Sequence, residues 1–105
     1  MQTSINELVT EVKQATDYQI NKKILREKIE TDLHMPFNNG LFKIGPEILA
    51  FASTWPDDVF YLEDTYGNPI EINKYEFLDQ ARRHYQSVMN TWHQQHEQIK
   101  RIRKV

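Results

Sequence analysis

Residues 59–81 read VFYLEDTYGNPIEINKYEFLDQA, a segment in which a hairpin feeds directly into a helix. Val59, Phe60, Tyr61 and Leu62 form a run dense in aromatic and branched side chains, the composition of a strand. Tyr66, Gly67, Asn68 and Pro69 supply the reversal, and Ile70 and Ile72 return on the alternating pattern with Glu71 turned outward. Phe60, Leu62, Ile70 and Ile72 therefore share one face. Asn73 with Glu76 three residues on has the spacing of a capping box. Ile72 and Phe77 straddle that cap as a hydrophobic staple, so two devices mark one helix start. A lone hairpin is marginal in water, and the apolar face is expected to lie on helices, the C-terminal one foremost.

That terminal helix, expected from Lys74 to about Arg101, carries Leu78, Tyr85, Trp92 and Ile99 at heptad spacing. Ala81, Val88, Gln95 and Ile102 follow three residues after each, giving a seam interrupted only by Gln95. At about 40 Å the helix outreaches a compact domain of this length, so its last turns are expected to project. Trp92, Ile99 and Ile102 then become the expected protein interface. The competing arrangement buries the whole seam internally. Lys100, Arg101, Arg103 and Lys104 crowd the end of the helix, where they complement its dipole. They are also the candidate contacts for nucleic acid, through salt-sensitive phosphate binding without sequence readout.

Upstream, Ser4 with Glu7 offers another capping box, and Ile5, Leu8, Val12 and Ala15 recur at helical spacing over residues 5 to 16. Tyr18, Leu25, Ile29 and Leu33 form a second stripe displaced from the first. With Asp17 as a cap at the junction, two helical segments are expected. Lys22, Lys23, Arg26 and Lys28 alternate with Glu27, Glu30 and Asp32, the pattern of a solvated face with pairs such as Lys23 with Glu27. Pro36 is expected to end the helix, Asn39 and Gly40 to make a turn, and Leu41 to Ile44 to form a short strand. Gly45 and Pro46 open another helix that Pro56 stops. Its face of Ile48, Ala52 and Trp55, with Phe51 beside them, is expected to be largely buried. The whole reads as one α+β domain over residues 1–105, with N-terminal helices and a long C-terminal helix packed on a small antiparallel hairpin or three-stranded sheet.

Composition narrows the function. At 105 residues, 39% hydrophobic and 27% charged, the chain has the balance of a folded protein rather than a disordered one. Without cysteine it has neither disulfides nor thiolate metal ligands. The first residues, MQTSINELVTEV, lack the basic and apolar segments of a signal peptide, and no apolar run approaches the roughly 20 residues that span a bilayer. The expected location is the cytoplasm, or host cytoplasm or virion for a phage-encoded chain. A net charge of −2 gives no general attraction to phosphates.

No catalytic signature survives inspection. His93, His96 and Glu97 share a helical face that could present two imidazoles or an imidazole and a carboxylate, but the rest of a metal site is missing, and His34 and His84 have no spacing that recruits them. Asp57, Asp58, Glu63, Asp64 and Glu71 cluster about the hairpin. Pro56-Asp57 followed by Glu71-Ile72-Asn73-Lys74 resembles the PD...(D/E)xK pattern of a nuclease superfamily, yet Asn73 stands where the lysine is needed and Lys74 falls on the opposite strand face. Three scattered glycines build no phosphate loop or dinucleotide fingerprint. Ser4, Ser53 and Ser87 have no paired histidine and acid at suggestive spacing. Catalytic residues, cofactor and metal are all expected to be none.

LEDTYGNPI at residues 62–70 and MNTWH at residues 89–93 resemble segments of short uncharacterised accessory proteins of T4-like tailed bacteriophages. The resemblance covers less than half the chain and carries over no functional residue. It implies a small accessory or virion-assembly protein. The sequence thus leads to a non-enzymatic interaction module with a protein partner or self-association. The alternatives are a nucleic-acid accessory protein using the basic end and, more remotely, a metal-dependent hydrolase around Asp57, Asp64 and Glu71.

Overall fold

A computed structural model describes the backbone of residues 2–103 and the side chains of residues 5–101. The order of elements is α1 (Gln2–Asp32), β1 (His34–Phe37), β2 (Gly40–Lys43), α2 (Pro46–Thr54), β3 (Val59–Glu63), β4 (Pro69–Asn73) and α3 (Lys74–Arg103). The fold is α+β, with two separate two-stranded antiparallel sheets, β1–β2 and β3–β4. It is elongated, 70 by 22 by 19 Å, with a Cα radius of gyration of 20.1 Å.

The join at Asn73 forms as its residues dictate. Phe60 pairs with Ile72 and Leu62 with Ile70 across β3–β4, so all four face the same side. The Glu76 amide donates to Asn73 Oδ1 at 3.2 Å, one half of the expected reciprocal capping box, without a return bond from the Glu76 side chain among the described residues. The staple residues Ile72 and Phe77 are both fully buried. The reversal closes at Gly67, whose φ of 80° suits a residue without Cβ.

A first core gathers both hairpins and α2 around the opening turns of α3. Met35, Phe37, Phe42, Ile44, Ala52, Phe60 and Ile72 meet Phe77, Leu78 and Ala81. Phe77 receives Phe37 and Phe42 edge-on at centroid distances of 5.2 and 5.5 Å, the geometry the ring quadrupoles favour. A second core lies where α1 runs antiparallel along α3. Leu25, Ile29 and Leu33 pack on Val88, with Met89, Trp92 and Ile99 at its margin and Tyr85 bridging the two cores.

Several expectations need correction. The first helix does not divide at Asp17: α1 is continuous, and Ser4 lies inside it rather than at its cap. The two apolar stripes belong to one rod and point in different directions. At 100° per residue, the stripe through Ile5, Leu8, Val12 and Ala15 is rotated by about 100° from that through Tyr18, Leu25 and Ile29. The helix ends at Asp32, not at Pro36. Pro36 sits in β1 opposite Leu41, as an exposed strand residue with no neighbour on its outer side to need its missing N–H.

The C-terminus of α1 is instead closed by two histidines. His34 Nδ1 lies 3.1 Å from the carbonyls of Glu30 and Thr31, and His84 Nε2 lies 2.6 Å from that of Asp32. Ring N–H groups donated to those oxygens occupy acceptors that the helix end leaves unmet.

The β1–β2 turn is made by Asn38 and Asn39, with φ of 46° and 68°, not by Asn39 and Gly40. Paired positive φ values are what a two-residue hairpin loop requires. Gly40 is the first residue of β2, and its role is close approach: a methyl group there would stand 2.6 Å from Ile70 Cγ1. Gly40→Ala is therefore expected to cost roughly 1–3 kcal/mol through overpacking, read as a lower urea midpoint. An unchanged midpoint would mean that Ile70 yields freely.

Helix α2 begins with Pro46 in its first turn and stops before Pro56 as expected. It is less buried than its pattern suggested. Only Ala52 is fully enclosed, while Phe51 and Trp55 remain exposed at 43% and 36%. These two rings pack with Phe60 in tilted and edge-on pairs at centroid distances of 5.2 to 6.2 Å, forming an aromatic edge over the first core.

Candidate functional site

The pairing of α1 with α3 determines where the expected interface residues lie. Asp32 stands beside His84, and Lys28 Nζ donates to Gln95 Oε1 at 3.4 Å. Asn21, Ile24 and Leu25 border the same recess as Gln98 and Ile99. Trp92 and Ile99 are consequently half-buried against α1. The side chain of Ile102 lies outside the described residues. Gln95, the polar interruption of the seam, is half-buried and takes the lysine's hydrogen bond.

Continuing this register one turn at a time puts the end of α3 opposite the neighbourhood of Tyr18. Beyond it α1 continues for about 20 Å with no other described element beside it, and every described side chain from Ile5 to Lys13 is exposed. Ile5, Leu8, Val9 and Val12 stand 58–62% exposed on one flank of this overhang. Among the described residues the least covered apolar stripe is thus on α1. The rotation between the two stripes signals this in the sequence, because a stripe out of phase with the packed one cannot meet the same partner helix.

A second feature lies on the side of the α1–α3 pair. Lys22 and Arg26 from α1 and Met89, Trp92, His93 and His96 from α3 line a groove of about 280 Å³. Its wall contains no carboxylate. Glu97, the nearest acid on α3, is held by Lys100 at 3.3 Å, and this neighbour together with His93 and His96 keeps its carboxyl below the ordinary range. Glu30, one turn beyond Arg26, is paired with Lys43, which lowers its carboxyl likewise.

The basic end is described only in part. Lys100 is engaged by Glu97, Arg101 is exposed, and the side chains of Arg103 and Lys104 lie outside the described residues.

At the acidic hairpin, Asp64 is 7% exposed and its carboxylate is fully employed by backbone. Oδ1 accepts the amides of Asn68 and Tyr66 at 2.9 and 3.0 Å, and Oδ2 accepts that of Leu41 at 3.1 Å. These bonds, the one from Asn68 foremost, hold the carboxyl below its usual value against the opposing effect of burial. The Thr65 amide also donates to the Leu41 carbonyl, and Asn38 Nδ2 to that of Glu71, so Asp64 sits in the stitching between the two hairpins. Asp58 accepts the Tyr75 hydroxyl and raises its pKa, and Lys74 Nζ donates to the Trp55 carbonyl. Among the described residues no three His, Asp or Glu side chains converge into a set that could hold a metal ion.

No helix among the described residues is long and apolar enough to cross a membrane. No family model, curated protein or solved structure matches the chain.

Proposed function

We propose that this chain is a non-enzymatic interaction module that pairs with a second copy of itself through the overhanging third of α1. The observation that carries the reading is the apolar stripe of Ile5, Leu8, Val9 and Val12, each more than half exposed and covered by no other described residue. Its spacing supplies the choice of partner. Ile5 and Val12 fall at one seam position of a heptad and Leu8 and Ala15 at the other, and branched residues at the first with leucine at the second favour two parallel strands. Glu11 is the only charged residue among the described positions flanking that seam, between Ile5 and Thr16, so little charge opposes pairing of identical copies.

Trp92 and Ile99, half-covered by α1, form a lesser apolar margin beside the same rod. An assembly role of this kind accords with the phage-accessory resemblance. Because the exposed seam spans barely two heptads, the pairing is weak and depends on concentration.

Sedimentation equilibrium tests this directly. The average mass is expected to rise from one chain toward two between about 10 μM and 1 mM, a range set by the short seam. Leu8→Glu with Val12→Glu should hold it at one chain while leaving the helical circular dichroism in place, since both positions are exposed. A mass of one chain throughout, or an unaltered rise in the double variant, overturns the reading. Association lost instead by Trp92→Ala or Ile99→Asn would transfer the interface to α3.

A further inference from the structure

We infer that the groove between α1 and α3 binds a small aromatic anion, with Lys22 and Arg26 holding the anionic head and Trp92 and Met89 receiving the ring. The inference rests on the groove and is independent of the pairing proposed for the overhang.

Three observations point to this chemistry. First, every polar side chain lining the groove is a nitrogen base: Lys22 and Arg26 on one wall, His93 and His96 on the other. Lysine and arginine are charged at neutral pH, and an imidazole presents an N–H donor in either protonation state. Second, the acids nearest this wall lie outside the groove lining and interact first with other lysines, Glu97 with Lys100 and Glu30 with Lys43, and only more weakly with His93, His96 and Arg26, while among the described residues Lys22 makes no ion pair. The groove's positive charge is therefore not cancelled from within its own lining. Third, its apolar floor is made of an indole and a thioether, both half-buried. An indole offers a face for stacking and a thioether a polarizable, adaptable contact.

Size restricts the class further. A groove of about 280 Å³ is at the small end of ligand pockets, suited to one ring with its charged substituent rather than to a dinucleotide. Arginine and lysine together favour phosphate or carboxylate oxygens. The ligand class is an aromatic phosphate or carboxylate of about that size.

Phenyl phosphate is a direct probe, with phenol and inorganic phosphate as its separate halves. In two-dimensional NMR of the full chain, phenyl phosphate is expected to shift the Trp92 indole N–H and the ring protons of His93 and His96. Its dissociation constant should be on the order of millimolar and at least fivefold below that of either half. Lys22→Gln with Arg26→Gln should weaken it tenfold or more, and both positions are exposed, so the fold is retained. Raising the salt should weaken phenyl phosphate binding and leave phenol unchanged. The inference is overturned if phenol binds as well as phenyl phosphate. It is equally overturned if the double variant binds with undiminished affinity, or if the shifted resonances lie away from Trp92, His93 and His96.

Discussion

Phe77→Ala is expected to destabilise the protein by roughly 3–5 kcal/mol, the range for removing a fully enclosed phenylalanine. The ring has no exposure and is gripped by Phe37 from β1 and Phe42 from β2, while its backbone lies in the first turn of α3. Truncation therefore opens a void where both hairpins and the terminal helix converge. The loss includes both edge-to-face contacts as well as the transfer energy of the ring. Folding stabilities of small domains run to about 5–15 kcal/mol, so much of the total is removed by one substitution. Urea unfolding followed by circular dichroism should show the midpoint fall accordingly. A change below about 1 kcal/mol, as for ordinary surface substitutions, would mean that Phe77 is not the keystone of the first core.

Asp64→Asn should rank second in effect and carry a pH signature. An asparagine can still accept the amides of Tyr66 and Asn68 with its carbonyl oxygen. Its NH₂ group, however, then faces the Leu41 amide, placing donor against donor. The variant is expected to be less stable at neutral pH and to loosen the contact between β2 and the β3–β4 loop.

The sign of the pH dependence follows from a carboxyl held below its ordinary value in the folded protein. Its stabilisation is fully present above the unfolded value of about 4 and disappears as the pH falls through the lower folded value. Stability of the parent chain should thus fall more steeply below about pH 4 than that of Asp64→Asn, and the two should converge in acid. Glu30 and Glu97 shift in the same direction but are common to both chains, so the difference between the curves isolates Asp64. Parallel curves would show that the backbone amides do not favour the ionised form.

What the sequence revealed were interactions between near neighbours. Asn73 with Glu76, Ile72 with Phe77, and Phe60 and Leu62 against Ile70 and Ile72 lie within about a dozen residues of one another, so spacing alone carries the geometry. The α+β class follows from these. What stayed hidden depended on distant partners. Pro36 signals a stop in isolation, but its placement in β1 depends on the Asn38-Asn39 turn that brings Leu41 opposite. Asp17 is a good cap residue, yet α1 passes through it because helix propensity at one position costs less than breaking a rod whose far half is anchored by Leu25, Ile29 and Leu33.

The candidate groove was illegible for a similar reason. Lys22 and Arg26 belong to a run that reads as a solvated helix face, and His93 and His96 to another about seventy residues away. Only antiparallel packing sets the two side by side. The histidines without a recognisable spacing, His34 and His84, proved to close the end of α1.

The elongated form has a practical consequence for anyone weighing this molecule in solution. Its radius of gyration of 20.1 Å compares with about 13 Å for a compact chain of this length, so frictional drag will exceed that of a sphere of equal mass. A solitary chain should migrate through a gel-filtration column ahead of globular standards and pass for a dimer. Apparent Stokes radius is thus a misleading guide to subunit number here, and light scattering or sedimentation equilibrium, which do not assume a shape, must decide it.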